Sequence, residues 1–183
     1  IIRSILNVGD KIYCGSYREF GYWKRDNGKM KYFSISENKN LFNGQSANEE
    51  IWKIFKKDDK IYFQSFNEIV IYDGKKIQKI RFPFQISYCY LIDNQIYVAS
   101  VRKGIYLMNG TEFRRKENWD IASNDVIHSI EKRQGTIYVF TKTDGVYVEE
   151  KGKLIGWKNQ LNNQLKKEVV LSAKFVNDSV LAI

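Results

Sequence analysis

Proline is almost missing from this sequence, with one residue in 183, and histidine occurs once, as His128. With so little proline and only twelve glycines, the chain is neither collagen-like nor a low-complexity linker. Cysteine is limited to Cys14 and Cys89, too few for a disulfide framework or a four-ligand zinc site. Both lie in apolar runs (Ile12-Tyr13-Cys14 and Tyr88-Cys89-Tyr90) and are expected as buried thiols. No apolar run approaches the roughly 18–20 residues that a membrane-spanning helix needs. A single histidine leaves only one candidate base for any Ser-His-Asp or Cys-His arrangement. Gly-x-Ser-x-Gly, phosphate-loop, His-Glu-x-x-His and Cys-x-x-Cys patterns are all absent. His128, inside the strand-like run Val126-Ile127-His128-Ser129-Ile130, is expected as a packed or channel-facing side chain rather than a general base. The chain is therefore expected to be non-catalytic, with no metal and no cofactor.

What is present points to strands. Hydrophobic residues make up 43% of the chain and aromatics 15%, with 12 Tyr, 11 Phe and 4 Trp. The net charge of +9 invites a nucleic-acid reading. Its distribution argues against one: lysines are spread singly over the turns (Lys11, Lys29, Lys60, Lys103, Lys132), and the pairs Lys56-Lys57, Lys75-Lys76 and Lys166-Lys167 stand apart. No nucleic-acid binding is expected of this segment. A modest attraction for acidic ligands such as anionic glycans remains.

The dominant signal is a repeat. Asp10-Lys11-Ile12-Tyr13-Cys14-Gly15-Ser16, Asp59-Lys60-Ile61-Tyr62-Phe63-Gln64-Ser65, Asn94-Gln95-Ile96-Tyr97-Val98-Ala99-Ser100 and Gly135-Thr136-Ile137-Tyr138-Val139-Phe140-Thr141 are versions of one phrase, and Asp178-Ser179-Val180-Leu181-Ala182-Ile183 is a truncated fifth. Its first apolar residue falls at positions 12, 61, 96, 137 and 180, a mean spacing of 42 residues. Each unit has an apolar strand before the phrase: Ile2–Val8, Ile51–Phe55, Ile86–Ile92, Val126–Ile130 and Val169–Val176. A tight polar turn, the phrase itself, a third strand (as in Gly145-Val146-Tyr147-Val148), an Asp/Asn/Gly turn and a fourth strand follow. Four antiparallel strands at this period are the signature of a β-propeller blade. The expected fold class is thus all-β: a propeller arc of about four blades plus the start of a fifth, in units 1–48, 49–83, 84–124, 125–167 and a partial 168–183. Both ends read as cuts inside a longer protein. Remaining blades, or another copy of the chain, are the expected partners at the open edges. Gly15 and Gly104 are expected where bulky residues of a neighbouring blade press in. The insert Glu37–Glu49 is expected as a surface loop, and Trp119-Asp120 as an unrepeated loop dipeptide without meaning for the family.

The pattern Ile-Tyr-x-x-[Ser/Thr] followed by Gly-[Ile/Val]-Tyr, best seen in Asn94–Tyr106 and Gly135–Tyr147, resembles the two-component regulator propeller repeat. Tyrosine stands where that family has tryptophan, and only Gly15 keeps the glycine before Ser/Thr. Glu50–Phe55 through Tyr62–Phe66 resembles the variant in triple-tyrosine transcriptional regulators. The resemblance implies a ligand-sensing segment of a bacterial transmembrane signalling or transcription regulator. It also implies a periplasmic or otherwise extracytoplasmic location, with a kinase or helix-turn-helix output elsewhere. Propeller ligands sit at rim loops, so the candidate binding residues are Tyr17, Arg18, Asn67, Glu68, Arg102, Lys103, Lys142 and Asp144, a set suited to stacking on and hydrogen-bonding a carbohydrate. The alternatives are a protein-binding scaffold of the cell envelope and part of a glycan-active propeller enzyme.

Overall fold

The computed structural model describes residues 1–120 and 125–183; the end of the third repeat unit, 121–124, lies outside the described residues. The described chain forms two compact units, Ile1–Pro83 and Phe84–Ile183.

The first unit holds two four-stranded antiparallel sheets. In one, β1 (Ile2–Val8), β2 (Lys11–Ser16), β3 (Glu19–Asp26) and β4 (Lys29–Ser34) follow one another as a meander. In the other, β5 (Lys53–Lys57), β6 (Lys60–Gln64), β7 (Glu68–Tyr72) and β8 (Ile77–Arg81) do the same. Between them Tyr13, Phe20, Ile51, Ile54, Ile61, Phe63 and Val70 form a buried core, with the Phe20 and Phe63 rings 4.4 Å apart. Gly15 is required by this packing. A Cβ there would lie 2.4 Å from Ile51 Cγ2, so the isoleucine seats directly on the glycine backbone.

The second unit repeats the plan with β9 (Ile86–Ile92), β10 (Gln95–Ser100), β11 (Ile105–Asn109) and β12 (Glu112–Arg115), then β13 (Ile127–Arg133), β14 (Thr136–Thr141), β15 (Val146–Glu150) and β16 (Lys153–Gly156). Tyr90, Tyr97, Ala99, Ile127, Ile130, Val139 and Tyr147 fill its core together with Trp119, whose ring stacks on Tyr97 at 5.7 Å. Trp119 thus lies outside any strand, as expected, yet it is one of the largest fully buried side chains. Turn chemistry follows the residue types: Asp93 and Asn94 take φ of +48° and +62°, the left-handed pair that lets a two-residue loop match the strand twist.

The structure departs from the expected elements at several places. The first strand of the second unit begins and ends two residues later than expected, Ile51 donating its N–H to the Ser16 carbonyl of the preceding sheet, and that of the fourth unit begins one residue later and ends three later. Instead of one strand over Val169–Val176, a short helix α1 (Gln160–Leu165), capped by the Asn159 side chain on the Leu161 N–H, leads to the two-residue strands β17 (Lys174–Phe175) and β18 (Leu181–Ala182). Gly104 is not a close-packing glycine: its nearest neighbour is the flexible Arg115 side chain at 3.5 Å, and its φ of +87° is what requires glycine. The insert Glu37–Glu49 is only partly a surface loop, since Ser46 and Glu49 are buried. Cys14 and Cys89 are free and buried, as their apolar settings imply. Among the described residues no helix is long and apolar enough to cross a membrane.

Candidate functional site

Seven of the eight candidate residues lie in the loops between second and third strands and the eighth, Glu68, opens β7; each unit treats its four differently. In the first unit all four converge on the insert. The Tyr17 hydroxyl donates to Asn48 Oδ1 (3.2 Å), and Arg18 Nη2 donates to the Phe42 carbonyl (3.2 Å). Asn67 donates its backbone N–H and its side-chain amide to Glu49 (3.3 and 3.0 Å). Glu68, 2% exposed, accepts from Ser46 Oγ (2.5 Å) and from Arg81 Nη1 (2.6 Å), with Lys79 Nζ 3.6 Å away. Arg81 also lies 3.8 Å from Glu49. Two buried carboxylates therefore share one guanidinium, and the lysine bridges to Ser46 (2.9 Å) and the Leu41 carbonyl (2.8 Å). The network ties the insert to the sheet, a setting in which buried charges are tolerated because each has partners.

In the second unit Arg102, in the left-handed region at φ +60°, and Lys103 are exposed at the β10–β11 turn, where the Lys103 N–H donates to Ser100 Oγ. Lys142 uses its backbone, donating to the Val126 carbonyl and accepting from the Val170 N–H. Asp144 accepts from the Tyr147 hydroxyl, and its N–H donates to Asp125. Burial, then this bond to Asp144, pushes the Tyr147 hydroxyl well above its ordinary value. Burial works against ionisation of Asp125 as well. There it is outweighed by the N–H groups of Thr143, Val126 and Asp144 and the Thr143 hydroxyl, which leave its carboxyl below the ordinary range. His128 is half-buried, and its Nδ1 donates to the Leu171 carbonyl (3.0 Å).

Sequence reasoning missed Ser46, Glu49, Lys79, Arg81 and Asp125. Arg81 pairs with Glu68 across the β7–β8 ladder, thirteen residues away, and only strand register brings them together. Outside the loops, the first sheet holds a pocket of about 160 Å³ beside Cys14, Glu19, Trp23 and Tyr32. Glu19 accepts there from the hydroxyls of Tyr32 (2.6 Å), Ser34 (2.7 Å) and Ser36 (2.8 Å). Among the described residues no group of three or more His, Cys, Asp or Glu side chains is arranged to hold a metal ion.

This geometry of short meanders with repeated internal phrasing has clear structural counterparts. The extracellular domain of a putative hybrid two-component system from B. thetaiotaomicron superposes with a TM-score of 0.68 and 17% identity, over 97% of this chain and 25% of that one. The fold is that of β-propeller blades. The WD40 β-propeller domain of Doa1 matches with a TM-score of 0.63 and 12% identity over 97% of this chain and 59% of that one. Apo AztD from Citrobacter koseri gives 0.58 and 10% identity over 84% and 45%. The chain thus spans a quarter of that extracellular domain and less than half of AztD. No protein-family model and no curated protein sequence matches it.

Proposed function

We propose that this chain is a non-catalytic, ligand-sensing propeller segment of a bacterial transmembrane signalling regulator, placed outside the cytoplasm, and that its rim loops recognise a carbohydrate. The observation that carries the reading is the match of nearly the whole chain to an extracellular domain described as part of a two-component system. The Ile-Tyr-x-x-[Ser/Thr] repeat supports it. So does the engagement of His128, Glu49 and Glu68 in structural hydrogen bonds, which suits binding better than proton transfer. The exposed Arg102 and Lys103, on a chain of net charge +9, favour anionic sugars. A ligand held there would act by stabilising one packing arrangement over another.

Titration calorimetry with a panel of sulfated and uronic-acid oligosaccharides tests this. Saturable heat with at least one member, reduced about tenfold in affinity by the double change Arg102→Ala, Lys103→Ala, is the expected result. Heat from no member, or binding indifferent to those changes and abolished by moderate salt, would return the chain to the protein-binding reading.

A further inference from the structure

The first sheet has one face covered and one bare. Adding 49 to a residue number maps the first sheet onto the second, phrase on phrase. Ile2, Ile5, Ile12 and Trp23 become Ile51, Ile54, Ile61 and Tyr72. In the second sheet this face is packed: Ile51 is 0%, Ile54 6% and Ile61 5% exposed. In the first sheet the same positions are open, with Ile2 at 53%, Ile5 at 64%, Ile12 at 36% and Trp23 at 37%. An apolar sheet face of this kind on a folded domain marks an interaction surface.

The protein itself shows what fits such a face. Ile51 seats on Gly15, and the Ser4 hydroxyl donates to the Ile51 carbonyl (3.2 Å). The second unit repeats the joint: Ala99 packs with Ile127 in one core, and Ser87 donates to the Ile127 carbonyl (3.0 Å). A third serine, Ser129, donates to the Ala173 carbonyl (2.6 Å). At both isoleucine joints the covering sheet thus brings a small residue under the isoleucine, and at all three it brings a serine hydroxyl to a carbonyl of the covered segment. It also brings the connecting segment, for Ser46 reaches Glu68, the counterpart of Glu19 at the pocket of the first sheet. A second copy of this chain offers no four-stranded face of this kind among the described residues: its exposed Val176, Val180 and Ile183 flank only the two-residue strands β17 and β18. The face with Tyr13 and Gly15 is covered within its unit, Phe55, Tyr62 and Ile71 are buried, and Tyr97 and Ala99 are buried.

We propose that the bare face of the first sheet docks a further four-stranded sheet of the same repeat, standing before Ile1 in the same polypeptide, with a glycine or alanine under Ile2 and a serine directed at the Ile2 carbonyl. The proposal is independent of any ligand. The test places a copy of residues 1–49 directly before Ile1 of the full chain, which puts Ile2 where Ile51 stands relative to Gly15 of the copy. The probe is the rate at which a thiol reagent labels an Ile5→Cys variant of the original chain, Cys14 and Cys89 being buried. Labelling slowed about tenfold or more by the added sheet is the expected result. Gly15→Val in the copy should restore fast labelling, and Ile2→Gly in the original chain should rescue the protection by size exchange. Labelling unchanged by the copy, whether or not the added sheet is folded by circular dichroism, overturns the proposal. So does labelling of the unextended chain that slows with its own concentration, which would make a second copy the occupant.

Discussion

Behind the loop that joins the second and third strands of a sheet, the two units fill the same place with opposite chemistry. In the first unit the third strand β7 opens with Glu68, and its carboxylate meets Ser46, Arg81 and Lys79. In the second unit the corresponding position before β15 is Gly145, and the space a side chain would take is occupied by Asn162 of α1, whose Oδ1 lies 2.4 Å from where a Cβ would sit. Asn162 accepts from the Val146 N–H and donates to the Val146 and Trp157 carbonyls. One unit holds its connecting segment with buried charge, the other with a neutral amide. Gly145 is thus an opening for a side chain that arrives from the connection, and Glu68 fills the corresponding place from within.

The comparison can be broken at its charged end first. Glu68→Ala should destabilise the first unit by about 3 kcal/mol, because Lys79 loses its counter-charge and Arg81 keeps only the more distant Glu49. The loss should appear as a lower urea midpoint and faster amide exchange confined to Ile1–Pro83. The neutral arrangement should be less costly to remove. Asn162→Leu, which keeps the branched shape, should cost about 2 kcal/mol by orphaning the Val146 N–H and removing one of the two donors at the Val146 and Trp157 carbonyls, with exchange faster around β15 and α1 only. Equal effects across both units would sink the idea that each segment is pinned separately.

Acid sensitivity sharpens the contrast at a third site. The Asp125 carboxyl ionises below its ordinary value of 3.8 in the folded chain. Its contribution is therefore complete above the unfolded value and lost as pH falls through the lower folded value. Asp125→Asn should flatten the acid limb of a stability–pH profile in that range and leave the neutral region with a constant offset. The smallest effect is expected for Arg18→Ala, an exposed side chain on the Phe42 carbonyl, at no more than about 0.5 kcal/mol. A clear loss of carbohydrate binding without loss of stability in that variant would move the rim site into the first unit.

Much of the architecture was legible because strands report their period and their turns locally. Ile2–Val8 and Ile86–Ile92 agree with the strands seen, and the Asp93-Asn94 turn adopts the left-handed angles its residue types favour. The replacement of Val169–Val176 by α1 and two short strands was not legible. That run is apolar enough for a strand, but Val170 instead joins Phe140, Val146 and Leu165 in a separate core. For the candidate site, local reading located the loops and missed their partners. Asn67 and Glu68 stood out as polar loop residues, yet their meaning depends on Glu49 and Arg81, distant in sequence and joined only by packing and register.

Composition and the 42-residue repeat therefore settle the all-β class, the four-strand unit and the positions of most turns, since each rests on side-chain alternation and backbone preference within a few residues. Which carboxylates are buried, which serines bridge one sheet to the next, and which apolar face lacks a cover were decided by packing between sheets. Those features rest on contacts between residues 13 to 47 positions apart, and no local preference encodes which distant group arrives.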